Sequence, residues 1–166
     1  IGGIADLRGI SIRDGIIQIG ALASHWAIAS SAELQRACPL LSEVATGIGD
    51  PQVRNRGTIG GNVVHADPAS DWPTALTALN AHFGIQGPGG LGRRGTRTVS
   101  PSDFFAGALT THLAPNEILT AIEFDIPSPD DSLSLWKVSQ RKDLDISAVT
   151  AAFRISWKDK ARTTVH

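Results

Sequence analysis

The chain has 166 residues, enough for one compact domain or one and the beginning of another, with 42% hydrophobic and 19% charged residues. No run of about 18 apolar residues occurs, which excludes a spanning helix. Lysine plus arginine (15) nearly balances aspartate plus glutamate (16), and no basic stripe exceeds Arg93-Arg94, so nucleic acid and anionic membrane surfaces are poor partners. The single cysteine, Cys38, allows no internal disulfide and, without a second Cys, no zinc or iron–sulfur site on this chain. No metal ligands are assigned. The composition fits a reducing compartment, and a cytoplasmic setting is expected. The row opens Ile1-Gly2-Gly3, contains no methionine and stops shortly after an apolar segment, so both ends are expected to lie in mid-fold.

Gly15 to Gly20 is a β-branched run bounded by glycines and predicts a buried strand. Ser24 reads as an N-cap for an alanine-rich helix to Ala37, which Pro39 closes before a second short helix from Leu40 to about Ala45. From Thr46 to Ser70 periodicity vanishes and Gly and Pro punctuate what reads as a long loop, a length that in compact domains usually carries function. Asp71 reads as the N-cap of a helix through Trp72-Pro73 to near Asn80. His82 to Gln86 and Thr96 to Val99 predict a hairpin, and Ser102 to Phe105 a short helix. Glu117 to Ile126 predicts a strand. Pro127 to Asp131 is the one linker-like cluster, and Leu133 to Val138 and Val149 to Ile155 are two further strands.

Gly87-Pro88-Gly89-Gly90-Leu91-Gly92 has the glycine spacing of a dinucleotide fingerprint. Arg93 to Arg97 follows it without a helical period, so it reads as a hairpin turn. Arg54-Asn55-Arg56-Gly57-Thr58-Ile59-Gly60-Gly61-Asn62 is the stronger candidate. Its adjacent glycines either make a tight turn or let consecutive amides point one way as an anion nest, with Thr58 and Asn62 adding side-chain hydrogen bonds. His65, Asp67 and Asp71 crowd together. Structural roles as N-cap and turn-former suit the two carboxylates, and polar side chains at a helix start could equally grip sugar or ribityl hydroxyls. Lys137 reads as outward-facing on its strand, and His25, His82 and His112 as ordinary hydrogen-bonding residues. No nucleophile elbow, zincin or Walker pattern occurs, and no catalytic residue is assigned.

Ile48 to Asn62 followed by His65 to Asp71 closely resembles the FAD-binding medium subunit of the molybdenum hydroxylases, the xanthine dehydrogenase and carbon monoxide dehydrogenase family. Ile19-Gly20-Ala21, Asp103-Phe104-Phe105, Pro115 to Leu119, and Lys137 with Arg141, Asp145 and Ile146 extend the likeness. The resemblance implies an α+β FAD-binding fold of the PCMH type. Residues 1–127 would be its middle subdomain, an antiparallel sheet with flanking helices, and 128–166 the beginning of a C-terminal α+β subdomain. The family's N-terminal subdomain, with its first FAD loop, has no counterpart here. Carried over by position, Thr58, Ile59, Gly60, Gly61 and Asn62 match the second pyrophosphate loop. His65, Ser70 and Asp71 match the phosphate and ribityl contacts, and Ile48, Leu113 and Lys137 the isoalloxazine surroundings. The implied role is an electron-transfer subunit of a molybdenum-containing hydroxylase or dehydrogenase. Its partners would be a molybdopterin-bearing large subunit, a small subunit with 2Fe–2S clusters, and an acceptor that is NAD, a quinone or a protein. The alternatives are a stand-alone FAD-dependent oxidase or reductase, or a cofactor-free assembly module.

Overall fold

A computed structural model describes residues 1–89, 94–141, 145–158 and 162–165. After a 3-10 turn at Ala5–Leu7, β1 (Ile10–Arg13) and β2 (Ile16–Gly20) form an antiparallel hairpin. Asp14 and Gly15 close it with φ of 52° and 80°, the left-handed conformations that match the strands' twist and that glycine adopts without strain. Ile17 and Ile19 are fully buried while Ile16 before them and Gln18 between them face out, the period of a strand with one covered face.

Between β2 and the next strand come α1 (His25–Ser30), α2 (Ala32–Ala37), α3 (Pro39–Thr46), α4 (Pro51–Arg56), α5 (Ile59–His65) and α6 (Asp71–Ala78). They differ from expectation at three places. The single helix from Ser24 to Ala37 is two, because Ser31 is extended and its hydroxyl accepts the Leu34 amide at 3.3 Å, starting a new helix. The stretch from Thr46 to Ser70 is not a loop but holds α4 and α5. Asp50 Oδ1 caps α4 by accepting the Val53 amide at 2.7 Å, and Thr58 Oγ1 caps α5 by accepting the Gly61 amide at 3.1 Å. Helices of two turns show little apolar periodicity, and glycines lower their propensity, so only the caps announce them. Ser70, not Asp71, stands at the N-cap position of α6, and Asp71 is its first helical residue.

β3 (His82–Pro88) and β4 (Arg94–Val99) pair as the expected hairpin, while Gly90, Leu91 and Gly92 of the fingerprint-like segment lie outside the described residues. Then follow α7 (Pro101–Phe104), the ribbon β5 (Phe105–Gly107) and β6 (Thr110–Thr111), β7 (Ile118–Asp125), β8 (Asp131–Val138), β9 (Val149–Lys158) and β10 (Arg162–Val165). The main sheet runs β1-β2-β7-β3-β4, antiparallel throughout. Register places Ile17 opposite Phe124, and Ile122 opposite both Ile19 and Phe83, so these side chains share one face. That face buries against Ile28, Leu41, Val44, Ile59, Val63, Trp72 and Leu76 of the helices. The uncovered face is polar, with Gln18 donating to Glu123.

β8, β9 and β10 form a separate three-stranded antiparallel sheet. Leu133 and Leu135 of β8 point to the core, while the alternate Trp136 and Val138 are exposed. The sheet rests with β8 on α3 and β9 on α6. Its first residue, Asp131, accepts the Ser128 amide, the Arg154 guanidinium at 2.7 Å and the Ser156 hydroxyl at 2.5 Å. Burial pushes this carboxyl up, but those hydrogen bonds, Ser156 first, outweigh it and hold it below the ordinary carboxylate range.

Candidate cofactor site

The Thr58 segment is held in place by a short backbone ladder to the residues just before α1. Gly60 N–H donates to Ala21 O at 2.9 Å, Ile59 N–H to Ala23 O at 3.0 Å, and His25 N–H to Gly57 O at 3.0 Å. Gly61 N–H goes to Thr58 Oγ1 and Asn62 N–H to Thr58 O. All four amides from Ile59 to Asn62 therefore have protein partners, and the segment is a capped helix start rather than an open nest of free amides. Its two glycines do different work. A Cβ on Gly60 would lie 2.5 Å from Ala21 Cβ and 2.6 Å from Ala21 O, so this glycine lets α5 seat on the end of β2. A Cβ on Gly61 would meet only Thr58 Oγ1, at 2.9 Å, and its other side is open surface. Next to it, Asn62 Oδ1 is buried and lacks a hydrogen-bond partner among the described residues. A buried polar atom normally has one, so this carbonyl end of the amide is a candidate acceptor for a donor that the described residues do not supply.

His65 closes α5 and is exposed, ahead of Ala66 in the left-handed conformation at φ 52°. Asp67 Oδ1 accepts the Ala69 amide at 2.9 Å, the turn-forming role expected of it. Ser70 makes no side-chain cap bond, which leaves its hydroxyl at the start of α6 uncommitted to the helix.

Asp71 is 5% exposed, and its carboxylate is the hub of a second cluster. Lys137 Nζ donates to Oδ2 at 2.8 Å, while Ser147 Oγ and Thr150 Oγ1 donate to Oδ1 at 2.5 and 3.0 Å. Lys137 therefore turns inward from β8, against its sequence reading as a solvated residue. Its ammonium also donates to Gly47 O at 3.0 Å, which brings it to the turn that carries Ile48. Arg54 Nη1 fixes that turn by donating to Thr46 O, Ile48 O and Gly49 O at 3.1, 3.0 and 2.9 Å, and Ile48 itself packs half-buried on the core. Ile48, Asp71 and Lys137 are thus brought together. Leu113 is half-buried against the same core, beyond β6, and shares no hydrogen bond with that group. The turn after it is fastened by an Arg97–Glu117 fork at 2.7 and 2.8 Å. The Arg97 guanidinium, with the Ala114 amide, holds the Glu117 carboxyl down to about 2.

His25 joins the two clusters. Trp72 Nε1–H donates to its Nδ1 at 3.1 Å, one residue beyond Asp71, and a Cβ on Gly57 would lie 2.9 Å from the ring. Burial pushes this imidazole down to about 4. Cys38 is also buried, and desolvation pushes its thiol up to about 11, an inert setting. No group of three or more His, Cys, Asp or Glu able to hold a metal occurs among the described residues. Ser147 and Thr150 escaped the sequence reading, because each acts on a carboxylate far along the chain. Arg54 entered it only at the head of the Arg54-to-Asn62 run, and His25 only as an ordinary hydrogen-bonding residue.

The arrangement defines a class: an antiparallel sheet with helices on one face, and a polar, glycine-edged helix start tied through a buried histidine to a lysine–carboxylate pair. The family model described as FAD binding domain in molybdopterin dehydrogenase matches residues 1–129, and the chain belongs to that family. It is 41% identical to the carbon monoxide dehydrogenase medium chain of Hydrogenophaga pseudoflava over 163 residues, 98% of this chain and 54% of that one. Against caffeine dehydrogenase subunit beta of Pseudomonas sp. (strain CBB1) it is 30% identical over 160 residues, 96% of this chain and 52% of the relative. The fold matches the solved carbon monoxide dehydrogenase from Hydrogenophaga pseudoflava that lacks the Mo-pyranopterin moiety, with a TM-score of 0.89 and 35% identity over 99% of this chain and 55% of that one. Quinoline 2-oxidoreductase from Pseudomonas putida 86 follows at 0.82 and 29%, over 96% and 54%. The chain spans about half the length of these relatives. The α+β FAD-binding fold is that of the medium subunits, and no helix among the described residues is long and apolar enough to cross a membrane.

Proposed function

We propose that the full-length protein is the FAD-binding subunit through which electrons leave a molybdenum hydroxylase. Electrons would reach it from iron–sulfur clusters on a small subunit, themselves supplied by a molybdenum centre on a large subunit, and pass to NAD, a quinone or a protein. Residues 1–127 would form the FAD-binding middle subdomain and 128–166 the start of the C-terminal one. The observation that carries this reading is the uncovered Gly61, where a phosphate meets no Cβ, beside the unpartnered carbonyl end of Asn62, an acceptor suited to a neighbouring ligand hydroxyl. FAD supplies the chemistry, taking up and releasing electrons at its ring.

The chain's own residues bind and orient it. The Thr58 O–H and the Asn62 Nδ2–H can donate to the diphosphate across Gly61, where no Cβ stands between, and Ile59 and Gly60 keep the helix start seated on the sheet. His65 and Ser70 present polar groups toward the phosphate and ribityl chain, and Asp71 holds Lys137. Ile48 and Leu113 supply apolar surface to the ring, and Lys137 a cation that stabilises the charge the ring gains on reduction. Titrating the full-length apoprotein with FAD by flavin fluorescence tests this. Gly61→Val should weaken binding by about 100-fold or more, equivalent to roughly 2.7 kcal/mol, with circular dichroism unchanged. Unchanged affinity in the folded variant would remove Gly61 from the site.

A further inference from the structure

The Asp71 carboxylate divides its oxygens. Oδ2 receives the Lys137 ammonium, and Oδ1 receives two neutral hydroxyls, Ser147 and Thr150, from the segment before β9 and from β9 itself. Asp71 is 5% exposed and Ser147 6%, so these hydrogen bonds lie where screening is weak and charge is strongly felt. Of the three N–H donors on Lys137, one goes to Asp71 and one to Gly47 O, which leaves one without a partner among the described residues and so available to a ligand. The cation offered to the ring is therefore one end of a dipole, and its outward strength depends on how much negative charge the carboxylate presents to it. Hydroxyls donating to Oδ1 draw on that charge and hold the carboxylate so that only Oδ2 faces the ammonium. Without them the carboxylate is free to turn and compensate Lys137 more completely.

We propose that Ser147 and Thr150 are positioning residues that raise the reduction potential of the flavin by restraining the Asp71 carboxylate, and so leaving the Lys137 charge more exposed to the ring. This rests on the reading that Lys137 faces the flavin. Neither residue touches the cofactor in this assignment, and both act through the ion pair.

The test is spectroelectrochemical titration of the bound flavin in the full-length holoprotein. Lys137→Met should shift the midpoint potential to more negative values. Ser147→Ala combined with Thr150→Val should shift it in the same direction by a smaller amount, and Thr150→Ser, which restores a hydroxyl, should return the wild-type potential. Asp71→Asn should shift it to more positive values. If Lys137→Met lowers the potential and the hydroxyl variants leave it in place, the proposal is wrong while Lys137 keeps its place at the ring. If Lys137→Met changes nothing, the reading beneath the proposal falls with it. Should the double variant lose FAD, Ser147→Ala alone decides the matter: a negative shift supports the proposal, and no shift or a positive one overturns it.

Discussion

Protonating His25 should destabilise the native state from within. Its ring is 3% exposed, stacks on Trp72 with centroids 6.1 Å apart, and accepts the Trp72 Nε1–H on Nδ1. A proton on Nδ1 would set two donors against each other in a buried place. Burial accordingly lowers the group from 6.5 to about 4. Because the folded value is depressed, the unfolded chain binds a proton between pH 6.5 and about 4 that the native state refuses. The contribution is fully present above 6.5 and is lost as pH falls toward 4, where the loss reaches roughly 3 kcal/mol at about 1.4 kcal/mol per pH unit. His25→Asn places an amide oxygen near the Nδ1 position, keeps an acceptor for Trp72 and does not titrate. Urea unfolding of wild type and His25→Asn, at neutral pH and in steps down to about pH 4, isolates this residue from the carboxylates, which both proteins share. The stability difference between them should move by about 3 kcal/mol in favour of the variant as pH falls. Parallel pH profiles would refute the reasoning.

The glycines should separate by role. Gly60→Ala drives a Cβ to 2.6 Å from the Ala21 carbonyl oxygen and should cost about 2 kcal/mol or more in urea unfolding, whether or not FAD is present. Gly61→Ala should leave stability within about 1 kcal/mol of wild type, since alanine's helix propensity offsets the small shift asked of Thr58, while FAD affinity falls. A Gly60→Ala protein as stable as wild type would show that α5 does not seat on β2 as described. Asp131→Asn should cost about 2 kcal/mol by weakening the Arg154 and Ser156 bonds at the start of the second sheet, read by tryptophan fluorescence during unfolding. An unchanged midpoint would make that network incidental.

What the sequence discloses here follows from the range of the interactions. Strand β2 and hairpin β3–β4 were legible because a β-branched run bounded by glycines, or two runs about a glycine-rich turn, is local information. Helices α4 and α5 were not, since at six and seven residues their stability comes from Asp50 and Thr58 caps and from docking on the sheet, not from apolar periodicity. The site divides the same way. Thr58 to Asn62 stands out as a contiguous motif, yet the amides expected to face a ligand are spent on Ala21, Ala23 and Thr58. Lys137 reads as a surface residue because it is charged, and only the fold reveals that it shares the inward face of β8 with Leu133 and Leu135 and meets a buried carboxylate 66 residues away. Ser147 and Thr150 carry no pattern at all, because a hydroxyl that holds a distant carboxylate leaves no trace in spacing.

The most direct test of the central claim is the visible absorption spectrum of the purified full-length protein, with the released cofactor identified by mass. Flavin bands with FAD recovered at close to one per chain are expected. A folded full-length protein that carries no flavin, and takes up none when FAD is added, would contradict the assignment of this chain as an FAD-binding subunit.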